Sequence, residues 1–239
     1  MKKFLSMIFA AAICLTLFAG CKNTATDNGG AQTNASERTA ETTQAQLFDD
    51  VEYIPGARTD TEYVNELLGF RFECGDKYTM ATDDELDKLM NTGVDILYED
   101  TDDGKKIIDY AKITTLYEMS AINMSDSTSV LVMAEKLQLK NMTEGQFISA
   151  LKTQLENTKL EMEYDDVVDT ELCGVTYKNL TYQATAETGS YKQTMLMKKV
   201  GDRMVTICFT YLDDEKLDSM FSDFIQISGI KASYLTLSK

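Results

Sequence analysis

The segment RMVTICFTYL at 203–212 is the strongest constraint on the fold. Its residues alternate between an apolar set and a more polar set, which is the period of two that a β-strand requires. The apolar set is Val205, Ile207, Phe209 and Tyr211, and the other set is Thr206, Cys208 and Thr210. A strand with one continuous apolar face has to lie in a sheet that buries this face.

Three more segments rich in β-forming residues precede this strand, at 160–168, 175–185 and 191–200. Glycine-containing turn signals separate the four segments. Such short connections join antiparallel neighbours, whereas parallel strands need crossovers of a dozen residues or more. The second half of the chain is therefore predicted to form a four-stranded antiparallel meander.

Two hairpins are predicted earlier in the chain. Segments 115–124 and 127–139 are rich in β-forming residues and are separated by Ser125-Asp126. Segments 67–74 and 77–81 are separated by Gly75-Asp76, which is typical of a tight turn.

Three amphipathic helices are predicted between and after the strands. Thr82 with Glu85, and Thr143 with Gln146, have the spacing of a capping box, which marks a helix N-terminus. Because the helices interrupt an antiparallel sheet without alternating regularly with strands, the order favours an α+β fold, an antiparallel β-sheet flanked by α-helices. The predicted helices run from Thr82 to Gly93, from Thr143 to Thr158 and from Asp213 to Ile225.

The first 20 residues have the pattern of an export signal. Lys2 and Lys3 precede an apolar run of about 15 residues, and the small residues Ala19 and Gly20 stand before Cys21. The sequence LFAGC resembles the bacterial lipobox. This resemblance implies that 1–20 is a lipoprotein signal peptide, and that Cys21 carries lipid and anchors the chain to the outer side of the bacterial cell membrane.

Residues 21–46 are predicted to form the lipidated cysteine and a flexible polar tether. The segment after Cys21 consists almost wholly of small and polar residues and contains no aromatic or branched aliphatic side chain. It therefore cannot bury enough apolar surface to offset the entropy of ordering. Its reach is about 25–30 Å. Residues 47–239 are long enough for a single domain with its own core.

Composition excludes several functions. The formal charge of −16, without a basic cluster, excludes nucleic-acid binding. The chain has no histidine, which removes the commonest general base and the usual partner of a serine or cysteine nucleophile. We therefore expect a protein without catalytic residues. Cys74, Cys173 and Cys208 leave open whether a disulfide forms, although the apolar surroundings of Cys208 favour a buried thiol.

One acidic loop is a candidate metal site. Glu99, Asp100, Asp102 and Asp103 surround Gly104, and carboxylates on a tight loop suit Ca²⁺. An EF-hand loop registered on Gly104 would need glutamate at its twelfth position, where this chain has Tyr110. A solvated acidic loop is therefore the favoured interpretation, with Ca²⁺ as the alternative and no other cofactor expected.

The run NELLGFRFECGDKYTMATDDEL at 65–86 resembles the opening of PsbP/Mog1-like domains. The order of elements follows that family over about residues 63–225. The resemblance implies an α-β-α sandwich and a binding or assembly role, since domains of this kind are mostly non-catalytic. No functional residue of the family matches a position here.

The leading hypothesis is a non-catalytic, surface-exposed lipoprotein that binds or assembles with another exported or envelope component. One alternative is an envelope hydrolase built from carboxylates alone and dependent on Ca²⁺ or Mn²⁺. A second alternative is a small extracytoplasmic ligand-binding lipoprotein.

Overall fold

The computed structural model describes twelve strands and three helices of eight residues or more. The residues that it describes are 48–49, 51–98, 113–156, 158, 160–186 and 189–227, with the backbone alone at 92–98 and 186.

The strands form two antiparallel sheets. The smaller has the order β1-β2-β3-β12, and the larger has the order β4-β5-β6-β11-β10-β9-β7, with β8 also paired to β9. The smaller sheet consists of β1 (Ala57–Arg58), β2 (Glu62–Asn65), β3 (Phe70–Glu73) and β12 (Phe224–Gln226). The larger consists of β4 (Thr79–Met80), β5 (Thr115–Asn123), β6 (Thr128–Lys136), β7 (Glu161–Tyr164), β8 (Val168–Leu172), β9 (Val175–Ala186), β10 (Gly189–Val200) and β11 (Arg203–Tyr211).

The helices are α1 (Asp83–Tyr98), α2 (Glu144–Glu156) and α3 (Glu215–Ser222). Both predicted capping boxes are present. The hydroxyl of Thr82 accepts from Glu85 N–H at 3.4 Å, and that of Thr143 accepts from Gln146 N–H at 3.3 Å. Each Glu or Gln side chain accepts in return from the backbone N–H of the threonine. Both helices therefore begin where the sequence predicts.

Strand β11 separates two apolar layers. Its Ile207 and Phe209 belong to the same buried cluster as Phe72 of the smaller sheet, while Cys208 belongs to a second cluster with Leu151 of α2. The predicted alternation along 203–212 is confirmed, and both faces of this strand are buried. The smaller sheet and Met220 of α3 contribute to the first layer, and α2 with Leu89 of α1 to the second.

The α+β class is confirmed by this arrangement of antiparallel sheets and helices. The hairpin predicted around Ser125-Asp126 is also confirmed. Strands β5 and β6 pair from Thr115 with Glu135 to Asn123 with Thr128, next to the turn.

The hairpin predicted around Gly75 is wrong. Strand β3 pairs with β2 and β12, whereas β4 pairs with β5 in the other sheet. The glycine turn has φ of +51° at Gly75, and it carries the chain from one sheet to the other. Residues 57–65, which precede β3 in the chain, supply two of the four strands of the smaller sheet.

Three other boundaries differ from the prediction. Helix α1 continues through Gly93 to Tyr98. The single strand predicted at 160–168 is divided into β7 and the start of β8. Phe224 lies in β12 and not in the last helix, because its pairing with Phe72 ends the helix and starts a strand.

Candidate functional site

A cleft of about 560 Å³ opens between the two sheets, close to the N-terminus of α1. Its lining comes from three segments, which run from Pro55 to Asp60, from Ala81 to Asp83 and from Leu116 to Glu118. These segments belong to the smaller sheet, to the start of α1 and to β5. The cleft therefore forms only when the two sheets are assembled.

Glu118 reaches the cleft because β5 has a bulge at this position. Tyr117 pairs with Met133 of β6, and Met119 pairs with Val132, the adjacent residue of β6. Glu118 is therefore an extra residue in β5. A bulge redirects a side chain out of the normal alternation. The redirected Glu118 shares with Met119 the face that packs on the smaller sheet, where its hydrogen-bond partners lie.

The carboxylate of Glu118 is held by three donors. The hydroxyl of Tyr53 donates to Oε1 at 2.5 Å. The hydroxyl of Tyr63 donates to Oε2 at 2.6 Å, and the backbone N–H of Gly56 donates to the same oxygen at 2.7 Å. Glu118 is only 9% exposed, so these bonds replace most of the water that the carboxylate would have in solution.

Asn65 fixes the direction of the two tyrosine hydroxyl groups. Its amide nitrogen donates to Tyr63 Oη at 3.1 Å and to Tyr53 Oη at 3.4 Å. Its amide oxygen accepts from Leu68 N–H at 2.9 Å, which settles which end of the amide faces the tyrosines. Each phenol oxygen therefore accepts from Asn65 and directs its own hydrogen at Glu118.

The network has a definite protonation pattern. Burial raises the pKa of Glu118, and the bonds from Tyr53 and Tyr63 oppose this rise only in part, helped by Gly56 N–H and the charge of Arg203. Burial and the adjacent charge of Glu118 also raise the pKa of both tyrosines well above 10.0. The tyrosines therefore stay protonated, and act as donors, throughout the physiological range.

The opposite wall of the cleft is formed by Arg58 and the first residues of α1. The guanidinium of Arg58 donates to the carbonyl oxygen of Ala81 and pairs with Asp83. Two hydrogen bonds from Thr82, by its backbone N–H and its hydroxyl, lower the pKa of Glu85. The wall is thus tied together by contacts within the protein, while Asp60 is exposed at the cleft.

The residues predicted as sites are not brought to this cleft. Cys21 and the four acidic candidates for a metal site, Glu99, Asp100, Asp102 and Asp103, lie outside the described residues. Cys74, Cys173 and Cys208 are free thiols, of which Cys74 and Cys208 are buried. Over the described ranges, no three residues among the acids and cysteines are grouped closely enough to hold a metal ion.

Sequence reasoning did not identify Glu118, Tyr53, Tyr63 or Asn65. One signal was present, because Glu118 is the only charged residue within the predicted strand TLYEMSAINM. A charge within a strand that is otherwise rich in apolar residues requires a partner or exposure to water. The same pattern also fits a solvent-facing position, so the sequence alone does not distinguish the two.

Comparison with known proteins finds similarity to several chains of solved structures. No family model matches the chain, and no curated protein matches it. The chain is similar to the solution structure of cyanobacterial PsbP (CyanoP) from Synechocystis sp. PCC 6803, with a TM-score of 0.39 and 9% sequence identity. The match covers 73% of this chain and 98% of that chain. The α+β class follows from the strand pairing described above, independently of this similarity.

In the described part of the chain, no helix is both long enough and apolar enough to cross a membrane.

Proposed function

We propose that this chain is a non-catalytic binding protein, anchored outside the cell membrane through lipid on Cys21, which binds another exported component in the cleft above Glu118. The observation that carries the proposal is a cleft of about 560 Å³ with a buried, prearranged carboxylate in its lining. Pockets that hold small ligands have volumes of about 300–1,000 Å³.

The arrangement of the cleft favours binding. Glu118 is fixed by three donors, and the tyrosine donors are fixed by Asn65. A polar group that is already ordered loses little conformational entropy when a ligand arrives. A single prearranged carboxylate in a concave site gives a ligand both orientation and specificity.

The chemistry of the network supports a role without catalysis. The groups that contact Glu118 directly are donors, and the raised pKa of both tyrosines keeps them from acting as bases near neutral pH. The whole sequence has no histidine to serve as a general base. Glu118 is therefore assigned the role of a binding group.

The raised pKa of Glu118 also favours one alternative, a carboxylate-based hydrolase. Buried carboxyl groups with a raised pKa serve as general acids in such enzymes, and Asp60 lines the same cleft. Hydrolysis of envelope material by the purified full chain, lost in Glu118→Gln and abolished by a chelator, would replace the binding proposal with the metal-dependent hydrolase.

The location rests on the residue pattern of the first 21 residues. Replacing Cys21 with Ala should leave an unprocessed precursor that no longer incorporates a radiolabelled fatty acid. Unchanged acyl labelling and an unchanged membrane fraction in this variant would contradict the anchor.

The binding role can be tested by cross-linking in intact cells. A photoreactive amino acid replaces Thr59, which is exposed and lines the cleft, in the full chain, and in a control it replaces Glu171, which is exposed on β8. In the larger sheet β8 is five strand spacings from β5, about 24 Å at about 4.8 Å each. We expect one defined adduct with an envelope component from position 59, and no such adduct from position 171. The same adducts from both positions, or none from either, would contradict the proposal.

A further inference from the structure

Among the described residues, none donates to one of the acceptor positions of the Glu118 carboxylate. A carboxylate offers about four acceptor positions, two on each oxygen. Oε2 accepts from Tyr63 and Gly56, but among the described residues Oε1 accepts only from Tyr53. Since Glu118 lines the cleft and is 9% exposed, the open position is available to a ligand there and to little bulk water.

The charges of the cleft are unbalanced towards the negative. Among the described residues that line the cleft, Arg58 is the one basic residue, and it donates to Ala81 and pairs with Asp83. Arg203 also acts electrostatically on Glu118, but it is not among the described residues that line the cleft, and its guanidinium donates to the carbonyl oxygens of Thr114 and Ala134 at 3.2 and 3.1 Å. Asp60 has no ion pair within the described part of the chain. Glu118 and Asp60 together therefore attract a positive charge into the cleft.

The size of the cleft favours an organic cation over a metal ion. Hard metal ions require several oxygen ligands at about 2.0–2.6 Å. No cluster of three suitable side chains occurs in the described ranges, and about 560 Å³ is far larger than one ion. Pro55 and Leu116 also line the cleft, and they provide an apolar wall for an alkyl stem that ends in a charge.

We infer that the cleft binds an alkyl ammonium group, of the kind that ends a lysine side chain, with its charge against Oε1 of Glu118 and the carboxylate of Asp60. This inference rests on the proposed binding function and names the chemistry of the ligand. The ammonium has three donors and fits one open acceptor as well as a second, exposed carboxylate. A charge-assisted bond in a site of low exposure is stronger than a bond between neutral groups.

The same ammonium chemistry has two sources, a free amine or a lysine of an exported partner. Calorimetric titration of the full chain in detergent separates them with three probes. These are pentylamine, the capped peptide acetyl-Ala-Lys-Ala-amide, and the same peptide with norleucine in place of lysine, which keeps the stem and removes the charge. Binding of both charged probes indicates a free amine. Binding of the lysine peptide alone indicates a partner side chain.

The expected result is saturable binding of at least the lysine peptide, with the norleucine peptide at least about tenfold weaker. Glu118→Gln should weaken binding of the lysine peptide by about tenfold or more, and Asp60→Asn by severalfold. Glu171→Gln should leave the affinity unchanged. Asp60 is exposed, so its variant decides the test if Glu118→Gln fails to fold.

Equal affinity for the lysine and norleucine peptides would overturn the inference. So would unchanged affinity for the lysine peptide in a folded Asp60→Asn or Glu118→Gln variant. If the cross-linker at position 59 captures a defined component but no probe shows a preference for charge, the inference fails and the proposed function stands. If the cross-linker captures nothing, the proposed function itself fails.

Discussion

Tyr63 on the smaller sheet donates a hydrogen bond of 2.6 Å to Oε2 of Glu118 on the larger sheet. Both residues are buried, and 55 positions of sequence separate them. Elsewhere between the sheets, an aromatic contact joins Phe209 of β11 to Phe224 of β12, at 5.5 Å between ring centroids. The end of the sheet interface that contains the cleft thus depends on a polar network, and this network is open to mutational tests.

Replacing Tyr63 with Phe should destabilise the protein by about 1.5–3 kcal/mol, which is typical of a hydrogen bond to a charged group. Among the described residues, the change leaves Gly56 N–H as the one donor to Oε2 of Glu118, and it removes an acceptor of the Asn65 amide. The measurement is the free energy of unfolding in urea at pH 7.

The matched control is Tyr177→Phe. Tyr177 is also fully buried, but its hydroxyl has no hydrogen-bond partner among the described residues. Its removal should therefore be neutral or slightly stabilising, because a buried polar group without a partner costs free energy. Equal losses in the two variants would show that the bond to Glu118 contributes nothing beyond packing.

The stability contributed by Glu118 should depend on pH with a definite sign. Burial raises its pKa in the folded protein above the ordinary value of 4.5. In the window above 4.5 the folded state therefore binds more protons than the unfolded state, and stability falls as pH rises. The variant Glu118→Gln lacks this loss. Its free energy of unfolding, relative to that of the wild type, should increase from about pH 4 towards neutral pH.

Glu85 provides a control of opposite sign. Hydrogen bonds from Thr82 lower its pKa below 4.5, so its contribution is present above that value and is lost as pH falls through the folded pKa. The free energy of unfolding of Glu85→Gln, relative to the wild type, should therefore decrease as pH rises from about 3 to 5. Parallel pH profiles for the two variants would contradict at least one of the two assignments.

The sequence predicted the elements whose signals are local. The alternation around Phe209 and the capping boxes at Thr82 and Thr143 depend on neighbours within a few residues, and the structure contains all three. Sheet membership is not local. Phe72 pairs with Phe224, about 150 positions later in the chain, and no pattern near Gly75 shows that β3 and β4 lie in different sheets.

The candidate site escaped prediction for the same physical reason. Tyr53 and Tyr63 meet Glu118 only because the two sheets pack face to face, and Glu118 points towards them only because β5 is bulged. A bulge depends on how the partner strand pairs, so the local sequence of β5 gives no direct sign of it. Metal and lipid sites were predicted instead because their signals are short and continuous.

Gly56 should not tolerate a side chain. A Cβ atom at this position would lie 2.4–2.5 Å from ring atoms and the hydroxyl of Tyr63, and Gly56 N–H donates to Glu118. We expect Gly56→Ala to cost about 1–3 kcal/mol through overpacking. In Gly145→Ala the nearest atom is Thr143 Oγ1 at 4.0 Å, and helix propensity predicts a gain of up to about 1 kcal/mol. Urea unfolding of both variants measures the difference, and a neutral Gly56→Ala would show that Tyr63 shifts at no cost.

The last prediction concerns the turn between β10 and β11. Gly201 has φ of +57°, and its N–H donates to the carbonyl oxygen of Phe48 at 2.7 Å. A Cβ atom at position 201 would lie 2.2 Å from the carbonyl oxygen of Val51. The close contact between the turn and the backbone of Val51 therefore requires glycine at this position.

Gly75 is the matched control for Gly201. Its φ of +51° is similar, but a Cβ atom would meet nothing within 4 Å. Gly75→Ala should cost about 1–2 kcal/mol from backbone conformation alone, and Gly201→Ala at least about 1 kcal/mol more from the clash. If Gly201→Ala displaces residues 48–53, it should also speed amide hydrogen exchange at Gly56, whose N–H is bonded to Glu118. Equal losses of stability and unchanged exchange in the two variants would show that the position of residues 48–53 does not depend on their contact with the turn at Gly201.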